Sequence, residues 1–400
     1  MKNHQLADLI LGPWVHCVVN RFIVCVLGFS CLSFQVLAEG ERASLPAVGA
    51  MADKTSISGL SSGGFMAAQY HIAYSENLVG VGIIAGGPWN CVASIPGNDF
   101  TPKLVSATTT CMDPCKYSWF GCPESLYPNS RYLSELAKTE AERGSIAALD
   151  NLSDDKVYIF SGLEDKTVKQ VVVDQTLSFY EYLELDESAI RYDNRVAAGH
   201  GFITDDLEDS QCGLTEKPWI NNCGFSQARR LLEHIYGELE VDVKELSGEL
   251  IKFDQTPFIT GEYTSLDDMG YAYIPESCRS ESCRVHVALH GCRQGHEFLG
   301  DRFVTGTGYN ETADANQLII LYPQVKPSSI MPLNPRGCWD FWGYSSNSLP
   351  PYHYYKRSAP QMKAINEMVN RLISKPLMSF SSASLRVRSL AEFKLHVSAF

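Results

Sequence analysis

The chain has 400 residues, is 45% hydrophobic and 20% charged, and carries a net charge of −13 at neutral pH. That apolar content excludes a disordered chain, which lacks the surface to build a core. The negative charge argues against nucleic acid as a partner, because binding phosphates requires clustered Lys and Arg. Thirteen cysteines are many for a reducing compartment and raise the question of disulfides.

At the N-terminus, Phe22 to Leu37 is an uncharged apolar run preceded by Lys2 and Arg21. It ends in Val36-Leu37-Ala38, with compact residues placed for a cut after Ala38, which is the pattern of a secretory signal peptide over 1–38. The run is short for a membrane span, which needs about 20 apolar residues. The mostly apolar stretch Leu9 to Val19 keeps a membrane anchor as the alternative.

Residues 39–375 are expected to form a single α/β catalytic domain, because short apolar strands alternate with amphipathic helices. The pattern opens with a strand at Thr55–Gly59, a helix at Gly63–Tyr74 and a strand at Val79–Ala85. Residues 90–150 are rich in Pro, Cys and Trp and are expected to be a disulfide-pinned insertion or lid. A strand at Val157–Phe160, a helix at Val168–Leu183, a strand at Ile190–Val196 and a helix at Gly224–Tyr236 follow. The last group is a strand at Val285–His290, a helix at Gly308–Asn316, a strand at Leu318–Tyr322 and a helix at Ala359–Ile373. Val285 to Leu289 and Leu318 to Leu321 are runs of the kind buried on both faces of a parallel sheet. The Ser-rich tail 376–400, with Arg386, Arg388 and Lys394, looks appended to the domain and has no assigned role.

Loss of the leader would remove Cys17, Cys25 and Cys31 and leave ten cysteines, an even number. In an exported chain these are expected to form disulfides. Cys212 with Cys223 and Cys278 with Cys283 are close enough to be local staples. The other six cannot be paired from spacing. Zinc bound by the Cys111–Cys122 cluster is a rival reading, although no second Cys/His pair follows at ligand spacing.

Gly59-Leu60-Ser61-Ser62-Gly63 is a G-x-S-x-G pattern between a strand and a helix. This is the setting of a nucleophile elbow, where glycines at −2 and +2 let strand and helix approach closely. Ser61 is therefore the candidate nucleophile, since Ser62 would have Leu60 at −2. A serine nucleophile needs a base and an orienting acid, which in this architecture follow in the order Asp or Glu, then His. Asp165, just after the strand Val157–Phe160, takes the acid position, with Glu164 and Asp155 as rivals. His200, between two glycines after the strand at 190–196, takes the base position. The oxyanion needs two backbone N–H donors, one of them from Ser62. The other normally comes from a His-Gly loop on an earlier strand. Here Leu289-His290-Gly291-Cys292 lies after His200, so the normal order is restored by circular permutation, the alternative being that His290-Gly291 ends a structural strand in a separate domain.

Taken together, these stretches resemble the single-domain, circularly permuted poly(3-hydroxybutyrate) depolymerases of the α/β-hydrolase superfamily. Leu289-His290-Gly291-Cys292-Arg293-Gln294 and Asn334-Pro335-Arg336-Gly337-Cys338-Trp339-Asp340-Phe341-Trp342 carry the likeness as strongly as the elbow does. It spans roughly residues 50–375. It implies a mostly parallel sheet with helices on both faces, Ser61, Asp165 and His200 as the triad, and the N–H groups of Ser62 and Cys292 as oxyanion donors. It also implies substrate contacts from Trp339 or Trp342 and from His290, a polyester or hydroxybutyrate-oligomer substrate, and no metal or organic cofactor. The export signal places such an enzyme outside the cell or in a periplasm. Tyr344, Tyr352, Tyr354 and Tyr355 cluster with Trp339 and Trp342. They are expected either to meet a polyester face or to line the core. Carbohydrate esterase and serine peptidase are the alternatives on the same fold, and a non-catalytic binding protein is the alternative outside enzymes.

Overall fold

A computed structural model describes residues 43–95, 103–346 and 352–376. The leader 1–38 and nearly all of the tail 376–400 lie outside them. Eleven strands are described. They are β1 (Thr55–Leu60), β2 (Leu78–Ile84), β3 (Lys156–Phe160), β4 (Ile190–Asp193), β5 (Phe202–Thr204), β6 (Ser210–Gln211), β7 (Ile220–Asn222), β8 (Glu249–Asp254), β9 (Met269–Ile274), β10 (Arg284–Leu289) and β11 (Leu318–Tyr322). The helices are α1 (Ser62–Ala73), α2 (Lys103–Thr108), α3 (Ser130–Glu142), α4 (Gln170–Tyr182), α5 (Gln227–Tyr236), α6 (His296–Leu299), α7 (Arg302–Gly306), α8 (Tyr309–Ala315) and α9 (Pro360–Ile373).

Eight strands form one sheet in the order β4-β3-β2-β1-β10-β11-β9-β8. From β4 to β11 all pairs are parallel, and β9 and β8 close one edge antiparallel. β10 pairs directly with β1, Gly59 opposite Leu289, although more than 200 residues separate the two strands. The late-chain strand therefore ends beside the G-x-S-x-G turn.

Alternating side chains divide the sheet between two cores. Val157 and Ile159 join Phe65, Val172 and Ile365 on one face, whereas Tyr158 and Phe160 join Leu231, Leu232 and Tyr309 on the other. Helices α1, α4 and α9 thus cover one face, and α5 and α8 cover the other, as a parallel sheet requires. α1 is buried along its whole length, which explains why its sequence shows little amphipathic stripe.

The strand expected to reach Val196 ends at Asp193. Beyond it the backbone runs beside the loop after β3, where Val196 and Ala198 carbonyls accept from the N–H groups of Leu163 and Glu164. The outer edge strand β8 and the small sheet β5-β7-β6 carried no clear periodic signal, because their strands are short or half-exposed, and the buried β9 was also not foreseen.

Five disulfides join Cys91–Cys111, Cys115–Cys122, Cys212–Cys223, Cys278–Cys283 and Cys292–Cys338. The two expected local staples are among them. The cysteines considered for zinc are instead consumed in the first two bridges, which corrects that rival reading.

Candidate active site

Ser61 stands at the C-terminal end of β1 with φ 57° and ψ −121°, a backbone region that L-residues populate at a cost of order 1–3 kcal/mol. The turn survives because packing over-determines it. The Ser61 N–H donates to Ile84 O at 2.8 Å, and the Phe65 N–H returns to Ser61 O at 3.0 Å. A Cβ on Gly59 would lie 2.3 Å from the Gly63 carbonyl carbon, and one on Gly63 would lie 2.5 Å from Leu289 O. Both glycines of the elbow are therefore required by close approach, the second one by contact with β10.

Asp165 follows β3 and is buried. Its Oδ1 accepts from the N–H groups of Thr167 (2.8 Å) and Val168 (3.0 Å), and its Oδ2 lies 2.7 Å from His200 Nδ1. A carboxylate so fixed holds Nδ1–H as the donor and leaves Nε2 free. His200 is anchored in turn. Its N–H donates to Thr215 Oγ1 at 2.9 Å, and Gly199 and Phe202 bond to Cys212 O and Trp219 O on the segment stapled by Cys212–Cys223. Of the rivals, Glu164 is exposed, and Asp155 lies before β3, at the sheet's other end.

Ser61 and His200 line one pocket of about 270 Å³, without a direct hydrogen bond between them. Leu60, Met112, Thr167, Thr215, Trp219, Gly291, Cys292, Gln294 and two arginines complete its wall. The Ser62 N–H is among the unpaired donors at the start of α1. The Cys292 N–H likewise has no acceptor among the described residues. Gly291 packs against the nucleophile, since a Cβ there would sit 3.3 Å from Ser61 Cβ. Gln294 holds this loop in place. Its Oε1 accepts from Gly291 N–H at 2.7 Å, and its Nε2 donates to Pro218 O and Trp219 O, both at 3.1 Å.

The expected aromatic contacts need correction. Trp339 is fully buried and serves through its backbone, whose N–H donates to Ser62 Oγ at 3.2 Å. Trp342 packs on Phe341 and Tyr344, away from the pocket wall. His290 is also fully buried. Nδ1 lies 2.7 Å from Gly291 O and Nε2 accepts from Val325 N–H at 3.3 Å, so neither nitrogen is available to a substrate. Burial pushes its pKa down to about 4 and keeps it neutral. The tyrosine cluster lines the core. Tyr354 is 2% exposed and Tyr355 packs edge-on to Trp89. The pocket's tryptophan is Trp219, whose only sequence signal was its place inside the Cys212–Cys223 loop. Met112, delivered from the 90–150 segment beside Cys111, was likewise unforeseen.

The chain is 35% identical over 355 residues to the polyhydroxybutyrate depolymerase of Talaromyces funiculosus, covering 84% of this chain and 94% of that one. The chain belongs to the poly(3-hydroxybutyrate) depolymerase family. It is also 36% identical over 337 residues to the poly(3-hydroxybutyrate) depolymerase of Delftia acidovorans, but spans only 62% of that relative's length. The crystal structure of the family member from Penicillium funiculosum superposes with a TM-score of 0.70 at 32% identity, covering 83% of this chain and 99% of that one. A family member complexed with an R3HB trimer superposes with a TM-score of 0.69 at the same identity and coverage. No family model matches the chain.

Proposed function

We propose that this chain is a serine esterase that hydrolyses poly(3-hydroxybutyrate) or its oligomers. The observation that carries the reading is the convergence of Ser61, His200 of the His200–Asp165 pair and the Cys292 loop on one pocket, with the unpaired Ser62 N–H directly after Ser61. His200 Nε2 takes the proton from Ser61 Oγ as the oxygen attacks the ester carbonyl. The N–H groups of Ser62 and Cys292 stabilise the oxyanion. The alcohol fragment leaves with the proton from His200. Water, deprotonated by His200, then cleaves the 3-hydroxyacyl-serine. Relative to the usual hydrolase order the chain is read as circularly permuted, a reading supported by β10 lying beside β1, with β11 on the far side of β10.

Residues 1–38 are read as a cleaved export signal, 39–375 as the catalytic domain, and the enzyme as secreted, extracellular or periplasmic. Five disulfides support an oxidising destination. Contact with solid polymer is assigned to the 90–150 segment rather than to the tyrosine cluster, of which Tyr354 is buried and Tyr352 and Tyr355 are half-buried against the core. There Trp119 is 93% and Phe120 99% exposed, beside Tyr117, at the rim of a cavity of about 600 Å³.

The test is a substrate panel: polyhydroxybutyrate granules, hydroxybutyrate oligomers, a feruloyl ester and a peptide amide. Turnover of the first two is expected, and activity confined to the last two overturns the reading. A Trp119→Ser/Phe120→Ser variant is expected to lose granule binding by a larger factor than soluble turnover. Equal losses would remove the adsorption assignment.

A further inference from the structure

Two arginines stand on the pocket wall without a partner among the described residues. Arg293 and Arg336 both line the cavity that holds Ser61 and His200, and both are exposed. Most described arginine side chains are engaged: Arg302 pairs with Asp209, Arg229 with Asp242, and Arg357 with Glu76. Among the described residues, the guanidiniums of Arg293 and Arg336 have no hydrogen bond, ion pair or ring contact. In a chain of net charge −13, unpaired cations at a reactive pocket form a local attractor for anions.

Their placement is built into the backbone. Arg293 follows Cys292 and Arg336 precedes Cys338 by two residues, so the Cys292–Cys338 disulfide clamps the two segments together. The Arg293 N–H also donates to Arg336 O at 2.7 Å. Arg293 holds φ at 64°, a conformation that costs a long side chain more than it costs glycine. A strained residue carrying an unpaired charge into a reactive pocket is an outlier of the kind that accompanies ligand contact.

The substrate class narrows what the pair can meet. Every repeat of a hydroxybutyrate chain is a neutral ester, and only the carboxyl terminus is an anion. In ester hydrolysis that terminus belongs to the alcohol fragment, on the leaving-group side of the scissile bond. We propose that Arg293 and Arg336 form a carboxylate subsite that binds the free carboxyl end of a hydroxyacid oligomer and directs cleavage near that end. This inference rests on the esterase reading above. Guanidinium groups suit the task because they offer paired, charge-assisted donors to a carboxylate.

The experiment compares kcat/KM for a hydroxybutyrate trimer with a free carboxylate and for the same trimer as its neutral methyl ester. The protein is expected to favour the free acid by about tenfold, the scale of a charge-assisted hydrogen bond, with the preference shrinking at high salt. Arg293→Gln, Arg336→Gln and the double variant are expected to bring the ratio towards one, through KM for the acid. Arg195→Gln removes an exposed arginine outside the pocket and is expected to keep the wild-type ratio. Reading the ratio within each variant cancels any general loss of turnover, and Arg336→Gln avoids touching the strained position. An acid-to-ester ratio identical in wild type and double variant, with both substrates hydrolysed, overturns the subsite alone. A wild type that hydrolyses neither trimer overturns the esterase reading and the subsite with it.

Discussion

Two histidines pair with carboxylates at opposite ends of β3, and only one of them faces a pocket. His200 Nδ1 lies 2.7 Å from Asp165, after the strand, whereas His71 Nε2 lies 2.9 Å from Asp155, before it. His71 also bonds Tyr180 Oη through Nδ1 at 2.9 Å and is fully buried, so both ring nitrogens are spent. His200 keeps Nε2 free, next to a serine held in a strained turn. The pairing of His with Asp is therefore no mark of chemistry by itself. A nitrogen left over, opening on a cavity, separates the candidate catalytic pair from the structural one.

The largest effect that can break this contrast is at the nucleophile. Ser61→Ala is expected to lower kcat for ester hydrolysis on the order of 10⁵- to 10⁶-fold while the thermal midpoint stays near wild type. Retained turnover would remove Ser61 from the mechanism. Asp165→Asn is expected to cost roughly 10⁴-fold in kcat, because His200 loses its orientation and tautomer. Asp155→Asn should do the reverse. It should leave turnover within a few-fold of wild type and cost about 1–3 kcal/mol in denaturant unfolding, by unpairing a buried bond to His71. If Asp155→Asn abolished turnover with stability intact, the assignment of roles at the two ends of β3 would be inverted.

The smallest effect concerns pH. His286 on β10 lies between Ser56 Oγ (2.6 Å) and Ser58 Oγ (2.7 Å) under the elbow, and burial pushes its pKa down to about 3. The folded state keeps it neutral, while the unfolded chain takes up its proton near pH 6.5. Its contribution is therefore full above pH 6.5 and declines as pH falls from 6.5 towards 3. His290 adds a similar decline over pH 6.5 to about 4. His286→Gln is expected to flatten the acid limb of the melting temperature against pH. An unchanged limb would mean that His286 is not held neutral in the fold.

The central strands and the elbow were legible because their signals are local. A G-x-S-x-G turn needs its own glycines, and β10 and β11 are buried on both faces and so are mostly apolar. Asp165 and His200 were legible from chain order, each standing just past its strand. The partners of Cys292 and Cys91 were not, since loops of 46 and 20 residues leave pairing undetermined. The burial of Trp339 and His290 was not legible, because a residue's neighbours in sequence do not reveal which side of it is covered.

The sequence by itself determined the six parallel strands, five of the helices, the candidate nucleophile turn and the candidate acid and base, because short-range sterics and periodicity write those features directly into neighbouring residues. Only the tertiary structure decided which carboxylate serves His200, which tryptophan reaches the pocket, and that Cys292 and two unpaired arginines meet beside Ser61. Those outcomes depend on packing between segments far apart in the chain, and contact of that kind is a property of the folded sheet rather than of any stretch of it.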